Sequence, residues 1–297
     1  MTITVLPETA YLASHELVSG GQMGITKKAS IEWDDGSIRK CYIKVYPKLD
    51  RIRKLCNELT GFTLAKALGL LQPNGAALIP LSKDFYSDFL DVTDCENEET
   101  IWAWVTTECG SSIKGVFHLN NIEELVINNP QQAQIKLIQA FSLVCSQKNL
   151  PEIIAFDDFI ANEDRNIGNV VMTGDGNMGI IDHGEVLGSI DWIKFLTTLD
   201  KTKSFNNKLL NILDTQLSLK EQTKFTVKHR SVDASNAHKA AFISVQEILI
   251  TWWKNLLEVS SIPPNDHPKF IEYLKDFLHY RCHQPTTMFA NRIGLVA

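Results

Sequence analysis

The pattern of apolar and polar positions predicts a strand-rich first third of the chain. Residues 16–46 hold two segments with apolar ends on either side of Asp35 and Gly36, and an Asp-Gly pair in that setting is typical of a β-hairpin turn. Two further strands are predicted within 72–81 and 99–110, joined across a polar, acidic loop at 91–100.

One segment of this first third has the period of a helix instead. Between residues 50 and 68 the apolar residues recur at intervals of three and four, and Gly69 follows them as an end signal. The apolar positions of this stripe are Ile52, Leu55, Cys56, Leu59 and Phe62. Glu58 lies at the edge of the stripe, within a predicted helix.

The rest of the chain is predicted to be mostly helical. One helix begins at Pro130 and runs toward Lys148, because proline is favoured at the first helical position. Its predicted inward face is Ile135, Ile138, Phe141 or Ser142, and Cys145. Further helices are predicted over 151–160, 203–218, 236–258 and 268–282. The fold class is therefore α+β, with a small strand-rich part over 1–106, a larger helical part over 107–297, and a connector within 105–115.

A second hairpin interrupts the helical part. The apolar segments 170–172 and 178–181 flank a turn sequence rich in Gly and Asp. Asn169 directly precedes the first strand and Asp182 directly follows the second, so the hairpin brings an amide oxygen and a carboxylate to one end. Such hard oxygen ligands suit Mg²⁺, which leads us to predict a metal site formed by Asn169 and Asp182.

Asp164 lies five residues before Asn169, in the loop that leads into this hairpin. The Asp-x-x-x-x-Asn spacing is that of kinase catalytic loops, in which the Asp meets the acceptor hydroxyl and the Asn holds a metal ion. Catalysis of phosphoryl transfer consists mainly of positioning and charge neutralisation, so three such residues at one cleft form a sufficient core.

These motifs resemble those of the HipA-like kinases. Asp164-Arg165 and Asn169, followed by Ile181-Asp182-His183-Gly184, are similar to the catalytic loop and metal motif of that family, and also to the corresponding motifs of the phosphoinositide kinases. The resemblance is concentrated in residues 156–188. It implies a bilobal protein-kinase-like fold, with ATP and Mg²⁺ bound between a small N-lobe (1–106) and a mainly helical C-lobe (107–297).

The same resemblance implies further nucleotide-binding residues. Lys44 is similar to the strand lysine that contacts the α and β phosphates, and Glu58 to its partner on the following helix. Gly20, Gly21 and Gly24 would form the loop over the phosphates, and the connector that includes Glu108 would present backbone groups to adenine. Arg165 would orient the catalytic loop as a second catalytic residue, while His183 is expected to pack in the loop and not to bind the metal, because Mg²⁺ prefers oxygen ligands.

Composition narrows the class of protein. The 297 residues are 44% hydrophobic and 22% charged, as in an ordinary globular protein, and the net charge of −6 argues against general nucleic-acid binding. No signal-peptide pattern or long apolar segment is present, so we expect a cytoplasmic protein without a membrane partner. The six scattered cysteines are expected to be reduced. The basic run of Lys220, Lys224, Lys228, His229 and Arg230 is expected to form a solvated helix face.

The sequence does not determine which molecule accepts the phosphoryl group. By resemblance it is a protein Ser or Thr hydroxyl, and the alternatives are a small molecule, a lipid headgroup, or no acceptor at all in a nucleotide-binding regulatory module. HipA-like kinases often act beside a small antitoxin, so the resemblance also implies such a partner.

Overall fold

The computed structural model describes residues 3–18, 25–86, 89, 98–173, 177–188 and 200–295. The three glycines expected over the phosphates, Gly20, Gly21 and Gly24, lie outside the described residues. Within the described ranges the fold is mixed α+β, with a strand-rich N-terminal sheet and a helical C-terminal part, as the sequence predicts.

The N-terminal sheet has six described strands in the order β1-β5-β6-β4-β3-β2. Their bounds are β1 (Thr4–Val5), β2 (Tyr11–Leu17), β3 (Ile25–Glu32), β4 (Ile38–Val45), β5 (Ala76–Ser82) and β6 (Thr100–Thr107). All neighbours are antiparallel except β1 and β5. The predicted hairpin is β3–β4, and Gly36 adopts φ 74° in its turn, a conformation that glycine reaches without steric cost.

Helix α1 (Arg51–Ala67) follows β4 and is buried on nearly all sides. The apolar stripe predicts one buried face, but the charged positions Lys54 and Glu58 are each only 1% exposed. The reason is tertiary, because α1 packs on the sheet on one side and on a long C-terminal helix on another, where Trp253 Nε1 donates to Thr60 Oγ1 at 2.9 Å. Charged residues so placed must find partners within the protein.

The other described helices lie mainly in the C-terminal part. They are α2 (Lys83–Tyr86), α3 (Ile113–Val116), α4 (Ile122–Asn128), α5 (Pro130–Cys145), α6 (Leu150–Phe159), α7 (Lys208–Thr215), α8 (Glu221–Ser235), α9 (His238–Glu258), α10 (His267–Cys282) and α11 (Thr286–Arg292). Short 3₁₀ turns occupy Glu8–Ala10 and Pro264–Asp266. None of the helices within the described ranges combines the length and the apolar character needed to cross a membrane.

A small sheet joins the two parts of the chain. Strands β7 (Ser111–Ser112), β8 (Val170–Met172) and β9 (Met178–Ile180) pair antiparallel in that order, so the second predicted hairpin is confirmed. The Ile180 amide donates to Leu71 O at 2.8 Å, which ties the hairpin to the loop after α1. The end of the hairpin is thereby placed beside the N-terminal sheet.

The helical predictions are correct in outline and wrong in three details. Helices α2, α3, α4 and α11 are missed, and the predicted helix 203–218 is in fact the shorter helix α7, followed by the separate helix α8. The inward face predicted for α5 is correct at Cys145 but wrong at Ile135 and Ile138, which are 56% and 46% exposed, whereas Ala133, Ala140 and Val144 are buried with Cys145. The apolar residues of this helix lie on several of its sides, so their spacing alone does not identify the buried face.

The basic run 220–230 is also not simply a solvated face. Lys224 is 8% exposed and donates to Asp214 O at 3.0 Å, at the end of α7, while Lys228 pairs with Asp214 Oδ1 at 2.8 Å. Cations placed at the C-terminus of a helix are stabilised by its unpaired carbonyl groups. Two lysines of the run therefore fasten α8 to α7.

Candidate active site

Three charged side chains from separate elements meet between the sheet and the helical part. Lys44 Nζ, on β4, lies 2.8 Å from Glu58 Oε1 on α1 and 3.0 Å from Asp182 Oδ1 after β9. The side chain of Glu58 is 1% exposed, that of Lys44 14%, and that of Asp182 40%. The group therefore opens from a buried glutamate toward a solvent-accessible carboxylate, and we call this opening the cleft.

The charges in the cleft stabilise one another. Burial opposes the charged form of Lys44, but the carboxylates of Asp182 and Glu58 outweigh it and raise the pKa of Lys44 above its ordinary value. Burial likewise opposes ionisation of Asp182, yet the charge of Lys44 lowers the pKa of that carboxyl below its usual range. A lysine ammonium is therefore held beside an ionised aspartate at any physiological pH.

Glu58 is fixed by two further donors. The Tyr46 hydroxyl donates to Glu58 Oε1 at 2.7 Å, and the His183 amide donates to Glu58 Oε2 at 2.9 Å. This approach of the 182–184 segment to α1 depends on Gly61, since a β-carbon there would lie 2.4 Å from His183 Cβ. The helix therefore holds both the lysine and the segment that carries Asp182.

The loop before the hairpin is organised by amide side chains. Asn169 Nδ2 donates to Asp164 O at 2.8 Å and to Asp164 Oδ2 at 3.3 Å, and Asn166 Oδ1 accepts from the Gly168 amide at 2.7 Å. Asn162 Oδ1 accepts from the Asp164 amide at 2.8 Å. Asp164 and Asn169 are thus in direct contact, as their spacing predicts.

Arg165 is the buried centre of this loop. Its Nε donates to Asp157 Oδ1 at 3.2 Å, and both side chains are 0% exposed. Its Nη1 donates to the carbonyl oxygens of Ile181 and Asp182, the latter at 3.1 Å, and to Asn169 O at 3.4 Å. The guanidinium therefore joins the loop to the segment that carries Asp182, and it does so from the interior, without facing the cleft.

His183 completes this buried network and is neutral. Arg165 Nη2 lies 3.1 Å from His183 Nδ1, and since a guanidinium only donates, Nδ1 accepts and the ring proton is on Nε2. Burial and the charge of Arg165 hold the pKa of His183 well below its ordinary value. The ring therefore supports Arg165, in agreement with the packing role expected from the sequence.

The backbone at Asp182 is itself unusual. Its φ is 63°, in the left-handed region that non-glycine residues seldom occupy, and Asp tolerates it better than most. Two backbone bonds hold the following segment on the end of α6, from Leu187 N to Ile160 O at 2.7 Å and from Gly188 N to Ala161 O at 3.1 Å. Strain of this kind persists where the surroundings determine the conformation, and it is common at functional sites.

One residue that the sequence analysis does not single out lies in the same cleft. Lys208 Nζ, at the start of α7, is 2.6 Å from Asp164 Oδ1, and the two side chains are 38% and 41% exposed. Lys208 follows Asp164 by 44 residues and belongs to no local motif, so only the folded chain brings it to this position. Among the described residues, the ion pairs of the cleft join two cations to three carboxylates, an excess of one negative charge.

The oxygen atoms available to a metal ion fit a partial Mg²⁺ ligand set. Asn169 donates to Asp164 through Nδ2, which leaves Asn169 Oδ1 as an acceptor. Lys44 and the Gly184 amide both contact Asp182 Oδ1, so Asp182 Oδ2 is left for a metal ion. Within the described part of the chain, no group of three or more His, Cys, Asp or Glu side chains is placed so that it could hold a metal ion. Substrate oxygens or water would therefore have to complete the coordination, as is usual for Mg²⁺.

Glu108 lies at the edge of the sheet, beyond β6. Its amide donates to Lys40 O at 3.0 Å, which extends the β4–β6 pairing, and its exposed side chain lies 3.5 Å from the Tyr42 hydroxyl. In this arrangement the Glu108 amide is already bonded, so a contact to adenine at the connector would fall to neighbouring backbone groups.

No protein-family model matches the chain, and no curated protein matches it. The interpretation of the cleft therefore depends on its residues and their geometry.

Proposed function

We propose that this chain is an ATP-dependent phosphotransferase of the HipA-like type, with a bilobal protein-kinase-like fold and a protein Ser or Thr hydroxyl as its acceptor. The observation that carries the proposal is the contact of Lys44 with both Glu58 and Asp182, at 2.8 and 3.0 Å, beside the Asp164–Asn169 loop. A strand lysine paired with a helix glutamate, next to a metal-binding aspartate, is the arrangement that kinase phosphoryl transfer requires.

Each residue of the cleft has a role in this proposal. Lys44 would contact the α and β phosphates of ATP as a point charge, held in place by Glu58. Asp164 would orient the acceptor hydroxyl and accept its proton, within reach of the neighbouring Lys208. Asn169 and Asp182 would hold Mg²⁺, which when bound neutralises phosphate charge.

Lys208 is the cation closest to Asp164 among the described contacts. A positive charge there lies where negative charge develops on the transferred phosphoryl group, and such preorganised charge lowers the barrier without rearrangement during the reaction. We therefore assign this electrostatic role to Lys208.

The proposal is tested with purified protein, γ-labelled ATP and Mg²⁺. Label on protein Ser or Thr supports it, and label on an added small molecule or lipid would change the acceptor class. ATP binding without any transfer would favour a nucleotide-binding regulatory module.

A binding experiment separates loss of catalysis from loss of the site. A ligand that binds only the folded chain adds about 2.7 kcal/mol to its stability at a hundredfold excess over Kd. ATP with Mg²⁺ should therefore raise the unfolding temperature more than ATP with a chelator, and Asp182→Ala should remove that difference. Equal unfolding midpoints in all conditions would contradict the proposal of an ATP site.

A further inference from the structure

A second cavity lies away from the cleft, between the end of α6 and helices α8 to α11. Its volume is about 210 Å³, and its wall includes Phe159, His238, Lys239, Arg281, Gln284 and Arg292. We call it the C-terminal pocket. The cleft residues Lys44, Asp164 and Asp182 are not part of this wall.

Positive charge exceeds negative charge in this pocket. The described wall carries the cations Arg281, Arg292 and the exposed Lys239 and the carboxylate of Asp158, an excess of two positive charges before any histidine is counted. Arg292 binds both oxygens of Asp158, at 3.0 and 2.7 Å, and Arg281 Nη2 lies 3.5 Å from Oδ2. Asp158 is therefore already shared by two arginines, and Lys239 makes no ion pair with any described residue.

The pocket also contains one buried polar atom without a partner. His238 is 6% exposed and stacks on Phe159, with ring centroids 4.7 Å apart, and its ring nitrogens make no hydrogen bond to a described residue. Gln284 Oε1 accepts from Arg292, while Gln284 Nε2 is buried and has no hydrogen-bond partner. Buried polar groups in native proteins are nearly always hydrogen-bonded, so the unpartnered amide of Gln284 in the wall of a cavity indicates a missing acceptor.

We propose that the C-terminal pocket binds a small organic oxyanion, a phosphate monoester or a carboxylate. The anionic group would neutralise the excess charge of Lys239 and the two arginines, and its oxygens would accept from Lys239 Nζ and from the ring of His238. The stacked rings of Phe159 and His238, with Phe289 beside them, offer an apolar wall to the rest of the molecule.

This site goes beyond the proposed phosphoryl transfer and does not depend on it. It is nevertheless connected to the cleft, because Asp158 follows Asp157, the buried partner of Arg165. Arg281 also donates to the carbonyl oxygens of Lys201 and Lys203, each at 3.2 Å, in the segment that leads to α7 and Lys208.

The test is calorimetric titration of the full chain with three probes: inorganic phosphate, phenyl phosphate and benzoate. Lys239→Gln removes the unpaired cation from the pocket. Lys254→Gln removes the same charge from another exposed position of α9, about 22 Å further along the helix. Lys208→Gln removes the competing cation of the cleft.

The proposal requires binding of at least one probe that Lys239→Gln weakens about tenfold, as expected for loss of a charge-assisted hydrogen bond, and that the other two variants leave unchanged. Preference for phenyl phosphate or for benzoate then identifies the ligand as a phosphate monoester or a carboxylate. Absence of binding for all three probes would overturn the proposal. So would equal losses in Lys239→Gln and Lys254→Gln, or a loss confined to Lys208→Gln, which would place the anion in the cleft.

Discussion

The cleft and the C-terminal pocket are connected through two neighbouring aspartates of α6. The two sites carry net charges of opposite sign. Asp157 is buried against Arg165 of the loop that lines the cleft, whereas Asp158 is held by Arg281 and Arg292 of the pocket. Counted over the residues that the structure describes, the cleft has one negative charge in excess and the pocket has two positive charges in excess. The two proposals assign a metal cation to the cleft and an organic anion to the pocket, each opposite in sign to the local excess of charge.

The charged and polar residues that line the two sites also differ in how far they are already satisfied, although the buried network beneath the cleft leaves Asp157 Oδ2 and His183 Nε2 without a partner. In the cleft, Lys44, Glu58 and Asp164 all have partners within the chain, so the site is assembled before any ligand arrives. In the pocket, the buried Gln284 Nε2 has none among the described residues. A preassembled site suits catalysis, and an incomplete one suits a ligand that supplies the missing acceptors.

The largest expected effect is on stability, at the buried pair that supports the cleft. Arg165→Met leaves the Asp157 carboxylate buried without its cation and should lower the free energy of unfolding by about 3–5 kcal/mol. Urea denaturation measures this change. Arg230→Met is the matched control, because Arg230 pairs with Glu152 at 48% and 42% exposure and should cost less than about 1 kcal/mol. Equal losses would mean that Arg165 does not organise the loop.

The second prediction concerns the pocket and pH. Burial lowers the pKa of His238 to about 4, while its unfolded value is near 6.5, so the unfolded chain binds more protons between these values. Stability linked to His238 is therefore present above pH 6.5 and lost as the pH falls to 4, by up to about 3 kcal/mol.

Replacement of the ring isolates this contribution. His238→Gln has no proton to gain, so its stability should fall less than that of the wild-type chain over the same pH window. His229→Gln, at a histidine 62% exposed on α8, serves as the control. A pH dependence unchanged by His238→Gln would show that the ring is not buried in its neutral form.

The third prediction concerns the proposed chemistry of the cleft. Asp164→Asn keeps the size of the side chain but removes the proton acceptor, so phosphoryl transfer should fall about 100-fold or more. ATP affinity should change little, because Asp164 is not assigned a phosphate contact. Label transfer and calorimetry measure the two quantities separately. Transfer at the wild-type rate would exclude Asp164 as the catalytic residue.

The smallest expected effect is that of the cation beside Asp164. Lys208→Gln should lower kcat about tenfold with little change in folding stability, because an exposed ion pair contributes little to folding but a charge next to the transferred group acts on the transition state. Lys201→Gln removes a comparable exposed partner, that of Asp276, and should leave kcat unchanged. A similar loss in both variants would remove the proposed role of Lys208.

The sequence by itself determined the elements whose contacts are local. Strands β3 to β6, α1 and the second hairpin follow from short-range periodicity and turn residues, whereas β1, β2 and β7 were not predicted. The hairpin places Asn169 and Asp182 at one end because of its length alone. Asp164 and Asn169 touch because they are five residues apart in one loop. Lys44 and Glu58, only 14 residues apart, pair across one strand and the following helix.

Tertiary structure alone decided the contacts between distant residues. Lys208 reaches Asp164 across 44 residues and Arg292 reaches Asp158 across 134, and no local pattern specifies either pair. The spacing of apolar residues likewise did not determine the buried face of α5, because these residues lie on several sides of the helix. The packing partners of α5 select smaller residues, such as Ala133 and Ala140, for burial. Burial depends on which surfaces meet, whereas periodicity describes only one surface at a time.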